Sequence, residues 1–265
     1  MVRRGVAGDL INGDDVSVLL HLQTWQEVEA YLAGSKGIIV PIGSTEQHGP
    51  NGLIGTDAIC AEVIAKGVGE ATGALVGPTI NVGNAQHHLA FAGSITLRPT
   101  TLIAVVNDYV ASLARHGFER FLFINGHGGN IATMGAAFAE LYAGASLKPG
   151  ASAPALRCKL KNWWETPGVH KLSKELYGSS EGSHATPSEV SVTQWAYPEA
   201  IKRAAMGAAN ARIREFHDAE DYRRLFPDGR IGSDPNLATP EHGAKFVDAA
   251  VRDIADEYRR FTTQP

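Results

Sequence analysis

The chain has 265 residues, 44% of them hydrophobic, enough for a substantial core in one large domain or two small ones. Its 24 Lys and Arg against 28 Asp and Glu give a formal charge of -4, which leaves no basic surplus to neutralise a nucleic acid or an anionic membrane surface. The apolar runs fall short of a membrane span, and Asp9, Asn12, Asp14 and Asp15 stand where a signal peptide needs an apolar stretch. A cytoplasmic protein with no nucleic-acid and no membrane partner is therefore expected.

Along the chain, Thr24-Trp25-Gln26-Glu27 has capping-box spacing and predicts a short helix to about Leu32. Gly37-Ile38-Ile39-Val40-Pro41-Ile42 reads as a strand buried on both faces. It runs into GSTEQHGPNGLIGTD, whose last residue, Asp57, opens a helix with Ile59, Val63 and Ile64 on one face. Ala74-Leu75-Val76 suggests a second strand. From Thr100 to His116, Leu102, Ile103, Val106, Tyr109, Val110 and Leu113 recur at helical spacing, with Gly117 as the cap. Phe121-Leu122-Phe123-Ile124 is a third buried strand, leading into Asn125-Gly126-His127-Gly128-Gly129-Asn130 and an Ala-rich helix from about Ile131. A further strand is expected near Ala155 to Leu160, a helix near Pro187, and a last helix from Pro240 to about Phe261, capped by Thr239. The alternation predicts an α/β fold, a mainly parallel sheet with helices on both faces. It also predicts a single domain over 1–265, with 1–20 as an N-terminal extension.

The chemistry gathers in three places. Glu46 and His48 follow the first strand, Asp57 opens the next helix, and His127 follows the third strand. An isolated Glu-x-His is most often a polar turn, but parallel neighbouring strands would bring all four side chains to one sheet edge. Two carboxylates and two imidazoles suit Zn, Mn or Fe(II). If the first strand continues past Ile42, residues 46 and 48 point the same way, one for each of two metals, with Asp57 bridging. Gly126, Gly128 and Gly129 leave space for a ligand beside His127, the plain alternative being a tight turn with an incidental histidine. Cys60 and Cys158 lie in apolar segments and read as small buried hydrophobes.

Other patterns carry less. Gly126-His127-Gly128-Gly129 resembles a phosphate cradle but lacks both the GK[ST] ending and the G-x-G-x-x-G spacing. Gly178-Ser179-Ser180-Glu181-Gly182 matches G-x-S-x-G, yet Lys171 to Tyr177 looks helical where a nucleophile elbow needs a strand. Thr186-Pro187-Ser188-Glu189 fits a capping box, so Glu189 is either a helix cap or part of the metal site.

Pro41-Ile42-Gly43-Ser44-Thr45-Glu46-Gln47-His48-Gly49-Pro50, then Gly55-Thr56-Asp57, then Asn125-Gly126-His127-Gly128-Gly129-Asn130, resembles the creatininase family. Phe91-Ala92-Gly93-Ser94-Ile95-Thr96-Leu97, His184 with Glu189, and the stretch from Asp234-Pro235 to Gly243 extend the likeness over most of the chain. The resemblance implies an α/β sandwich-like homo-oligomer, commonly a hexamer. It also implies two divalent metal ions, Zn with Mn or Fe as alternatives, acting on a small-molecule amide. By motif, Glu46, Asp57 and His127 would hold one metal, and His48 and Asp57 the second. Creatininase takes a further ligand from a glutamate where this chain has Gly129, and Glu189 is the expected replacement or else a general base.

By the same resemblance His184 would be catalytic as a proton donor to the leaving nitrogen. His88, Ser183, Trp164 (or Trp163), Gly128 and Gly129 would line the substrate site. Ser183 stands where creatininase has a glutamate, which puts creatinine itself in doubt. The function implied is metal-dependent hydrolysis of a non-peptide C–N bond in a cyclic amide or formamide by activated water. The alternatives are a hydrolase acting on a formylamino-pyrimidine, a peptide-maturation hydrolase, or a metal-bound binding or assembly subunit without turnover.

Overall fold

The computed structural model of the chain describes residues 17–148, 156–208 and 215–263. In chain order it contains α1 (Trp25–Gly34), β1 (Gly37–Ile42), α2 (Thr56–Thr72), β2 (Leu75–Val76), α3 (Pro99–Arg115), β3 (Arg120–Asn125) and α4 (Ile131–Ser146). There follow β4 (Arg157–Asn162), α5 (Pro167–Leu176), α6 (Pro187–Ala196), α7 (Ala219–Leu225) and α8 (Pro240–Thr262). The strands form one parallel sheet in the order β2-β1-β3-β4.

Side chains alternate across that sheet and feed two cores. Ile39, Leu122 and Ile124 pack with Cys60, Ile64 and Val68 of α2 and with Phe246, Ala250 and Ile254 of α8. Ile38, Val40, Ile42, Phe121 and Phe123 pack on the other face with Leu102, Val106 and Val110 of α3 and Met134 of α4. Helices covering both faces explain why β1 is apolar throughout. The buried stripe of α2 passes through Cys60, Ile64 and Val68, and Ile59 and Val63 stay half-buried. Of the face predicted, Ile64 is in the core and Val63 packs against it, while Ile59 stands at its edge.

The ends of elements differ from expectation where tertiary contacts act. The fourth strand starts at Arg157, and Ala155, where it was expected to begin, lies outside the described residues. The sheet edge reaches into the predicted N-terminal extension, because Val76 N–H donates to the Val18 carbonyl at 2.8 Å and Leu19 bridges to Val76. β1 stops at Ile42 rather than running on to residue 48. Beyond it the chain is held by a bridge from Thr45 to Ile95 and by Glu46 N–H donating to the Ile54 carbonyl at 2.7 Å. No helix among the described residues is long and apolar enough to cross a membrane.

The connections from β1 to β2 and from β2 to β3 pack on opposite faces, through α2 and α3, so a crevice opens at the carboxyl ends of β1 and β3. Two glycines let the start of α2 close down on that crevice. A Cβ at Gly43 would lie 2.4 Å from the Ala58 nitrogen, and one at Gly126 would lie 2.0 Å from the Asp57 carbonyl oxygen. Any side chain at either position would push Asp57 away from the strand ends.

Candidate functional site

Five side chains converge in the crevice. Glu46 and His48 arrive from the coil after β1, Asp57 from the first turn of α2, His127 from the end of β3, and Glu189 from the first turn of α6. Glu46, His48, Asp57 and His127 are almost fully buried. His48 Nε2 lies 2.9 Å from Asp57 Oδ1 and 3.9 Å from Glu189 Oε2. His127 Nδ1 lies 3.0 Å from Asp57 Oδ2, and its Nε2 lies 3.3 Å from Glu46 Oε2. The donors form two groups, Glu46/Asp57/His127 and His48/Asp57/Glu189, each with ligand atoms within 4.8 Å of one another, and Asp57 belongs to both.

Main-chain carbonyls orient both imidazoles. His48 Nδ1 lies 3.1 Å from the Glu46 carbonyl, and His127 Nε2 lies 3.0 Å from that of Asn84. A carbonyl only accepts, so these nitrogens carry the protons, and His48 Nε2 and His127 Nδ1 face the carboxylates, as in metal-ligating histidines. Glu46 Oε1 and Asp57 Oδ2 are buried without a hydrogen bond, although ring nitrogens stand 3.1 and 3.0 Å away. Each oxygen is left with unfilled acceptor capacity beside a ring nitrogen.

The charges point the same way. Burial alone would lower His48, but Asp57, Glu189 and Glu46 outweigh it and hold the ring at about 10. His127, likewise buried, is lifted to about 9 by Glu46 and Asp57. Burial would raise Asp57, yet the two imidazoles keep it well below the usual carboxylate range. Burial pushes Glu189 up, with only partial offset from His48. Three carboxylates in a dry crevice demand positive charge, which protons supply in the metal-free chain and two divalent cations would supply in their place. The residues present therefore fit such ions.

The two oxygens of Glu189 face different neighbours. Its Oε1 accepts from Thr186 N–H at 2.5 Å while Thr186 Oγ1 accepts from Glu189 N–H at 3.3 Å, a complete capping box. Its Oε2 is the oxygen that faces His48. At Gly129 a Cβ would come within 2.4 Å of both His127 Nε2 and the Asn84 oxygen, so this backbone has no room there for a carboxylate.

Beside the five residues lies a cavity of about 480 Å³, within the range of small-molecule sites. Gly128, Trp164, Ser183 and His184 line it, together with Trp163; Gly129 and His88 do not. His88 is 1% exposed behind Glu46, its Nε2 3.1 Å from Glu46 Oε1, so it is out of reach of a substrate in the cavity. Burial, then the charges on His48 and His127, depress His88 to about 3, and burial with His88 and His48 holds His184 far below the usual imidazole value. The G-x-S-x-G match follows helix α5, so no nucleophile elbow forms.

Several residues went unsignalled in the sequence. Asn84 acts through its carbonyl, which no side-chain pattern reveals. Asn130 donates to the Gly43 carbonyl at 2.9 Å and Asn125 to the His127 carbonyl at 2.7 Å, locking the two strand ends together. Glu181 lines the cavity, with Oε1 accepting from Ser188 and Oε2 buried without a partner.

The profile of the family described as "Creatininase: Creatinine amidohydrolase" matches residues 21–258. A "Mycofactocin precursor peptide peptidase" of Mycobacterium ulcerans is 30% identical over 244 residues, covering 86% of each chain. A "Creatinine amidohydrolase" of Pseudomonas putida is 35% identical over 117 residues, 42% of this chain and 45% of that one. Among solved structures, "Creatininase Mn" superposes with a TM-score of 0.83 at 25% identity, over 94% of this chain and all (100%) of that one. With fold, ordered motifs and profile in agreement, this chain belongs to the creatininase family.

Proposed function

We propose that the chain is a metal-dependent amidohydrolase that opens a non-peptide C–N bond, in a cyclic amide or formamide, of a small polar substrate. The observation that carries this reading is the pair of cation-binding groups sharing Asp57 at the side of the 480 Å³ cavity. Glu46, Asp57 and His127 would hold one divalent ion, and His48, Asp57 and Glu189 the other, with Zn, Mn or Fe(II) matching the donor set. Such ions, when bound, activate water and polarise the attacked carbonyl.

The chain's own residues supply the rest. Addition of water to the carbonyl carbon releases a proton, and cleavage of the C–N bond requires one on nitrogen. His184, which lines the cavity with Nδ1 3.9 Å from Glu46 Oε1, is placed to take the first and give back the second. Trp163 and Trp164 form an apolar wall, and burial there excludes bulk water. Glu165 and Glu181 join that wall, and none of the lining residues is Lys or Arg. A neutral or cationic substrate rich in N–H donors suits this surface, and an anionic one does not.

The similarity to the peptide peptidase over 86% of both chains supports a second reading, in which the bond belongs to a short peptide. Screening neutral, cationic and anionic amides for ammonia, formate, new amine or released peptide separates the two. His127→Ala should abolish both metal content and turnover, measured by elemental analysis and rate; an active, metal-free variant would sink the hydrolase reading.

Self-association is part of the same proposal. Exposed Trp195 and Tyr197 line a groove with Val247 and Val251, apolar surface of the kind that subunit contacts cover, and sedimentation measures it.

A further inference from the structure

Gln47 lies between two candidate ligands, Glu46 and His48, and is only 7% exposed. Main-chain groups orient its amide: Gly49 N–H donates to Oε1 at 2.9 Å, and Nε2 donates to the Gly229 carbonyl at 3.1 Å. The flipped amide would set N–H against N–H and carbonyl against carbonyl, so this orientation is the one the network allows.

Nε2 has one further proton, and two ring nitrogens stand 2.9 Å from it, His88 Nδ1 and His184 Nε2. His184 Nε2 also lies 2.9 Å from the main-chain carbonyl of Gln47. Since that carbonyl can only accept, the His184 proton is on Nε2, which then cannot accept from the amide. The remaining amide proton goes to His88 Nδ1. A neutral imidazole has one ring proton, so that of His88 is on Nε2, 3.1 Å from Glu46 Oε1. His184 turns a bare Nδ1 towards the same oxygen, 3.9 Å away.

We propose that Gln47 is a positioning residue that fixes both tautomers, giving His184, a cavity-lining residue, an unprotonated Nδ1 and His88 a proton on the ring nitrogen that stands beside Glu46. Ring packing supports this. His88 and His184 stack with centroids 4.5 Å apart at 22°, and Tyr222 meets His88 edge-on at 4.6 Å, packing that holds the two rings beside the Gln47 amide.

Two consequences follow. Glu46, His88 and His184 have ligand atoms within 4.8 Å of one another and would pass for a third cation group. The proton on His88 Nε2 and the amide proton received by Nδ1 leave that ring no free lone pair for a cation. His184, for its part, meets the substrate as a proton acceptor. That last role rests on the amidohydrolase reading above, whereas the tautomers do not.

Joint neutron and X-ray diffraction on deuterium-exchanged crystals of the metal-loaded protein reads the assignment directly. Deuterium is expected on Nε2 of both His88 and His184 and on neither Nδ1; deuterium on either Nδ1 overturns the proposal. In Gln47→Glu a carboxylate accepts where the amide donates, so deuterium should appear on His88 Nδ1, and its absence there also overturns the proposal. The same variant should keep its metal content and KM while kcat falls ~10- to 100-fold, the usual effect of losing a partner behind a site residue. If Gln47→Glu fails to fold, the wild-type map decides alone. A protein inert towards every amide but with deuterium where stated would remove the hydrolase reading and support the assignment.

Discussion

Substitution of Glu189 by Gln and by Ala separates the helix cap its carboxylate forms from the ion-binding role proposed for it. Gln keeps an oxygen to accept from Thr186 N–H, as capping boxes permit, so the start of α6 should survive. It loses about 0.3–1 kcal/mol of favourable charge at the helix N-terminus, against which stands the relief of a buried carboxylate. Ala removes the acceptor for Thr186 N–H as well, a hydrogen bond of about 1 kcal/mol, which in a chain of this size lowers Tm by roughly 2–4 °C. In thermal melts with chelator present, Gln should therefore track wild type and Ala should fall below it. Both variants remove one of three donors from the His48/Asp57/Glu189 group and leave Glu46/Asp57/His127 complete. Since partners behind a ligand already contribute ~10- to 100-fold to affinity, losing the ligand itself should weaken that ion by more than ~100-fold. Elemental analysis after dialysis should then find one tightly held ion in place of two. A Gln variant holding both ions with unchanged affinity, by chelator competition, would show that Glu189 is a cap alone.

Above about pH 6.5, where the histidines held neutral by burial no longer titrate, the stability of the metal-free protein should fall as pH rises. His48 and His127 have folded-state values of about 10 and 9, above their unfolded 6.5, so protonation favours the folded chain. Their contribution is complete below pH 6.5 and disappears as pH climbs through 9 and 10; Glu189, raised by burial to about 7 from 4.5, acts in the same direction over a lower window. Melts in chelator should show Tm dropping across this range, and saturating divalent metal, which displaces those protons, should remove the drop; a flat metal-free profile would refute the argument. Gly129→Glu should not add a ligand, because its Cβ meets His127 Nε2 and the Asn84 oxygen at 2.4 Å. A loss of about 1–3 kcal/mol from overpacking is expected in denaturant titrations, with no gain in metal affinity.

The parts of the site readable in the sequence are those whose side chains recur in fixed order near strand ends. Glu46, His48, Asp57 and His127 are such residues, and the apolar runs before Gly43 and Gly126 place them at one sheet edge. The reason for the two-residue spacing of Glu46 and His48 was not readable. β1 ends at Ile42, and the coil that aims both side chains is fixed by Ile54 and Ile95, partners chosen by the fold. Glu189 stayed ambiguous because a one-letter pattern cannot say which carboxylate oxygen does what, and here the two divide the work. The resemblance alone makes His88 a substrate-site residue; in the fold its Nε2 stands 3.1 Å from Glu46 Oε1, with His184 and Tyr222 packed on its ring, and it does not line the cavity. Gln47 and Asn84 act through contacts with residues 137 and 43 positions away, a separation at which periodicity conveys nothing.

The cavity wall has an origin of its own. Trp163, Trp164, Glu165, His170, Glu181 and Ser183 come from one continuous stretch after β4, whereas the five converging side chains come from the ends of β1 and β3 and the starts of α2 and α6. The tryptophan wall, with Glu165 and Glu181, is thus written in a different segment from the candidate ion-binding side chains. Substitutions between residues 163 and 183 can change which molecules enter while the ionic centre stays intact. The same stretch is where a designer would begin in order to change the substrate.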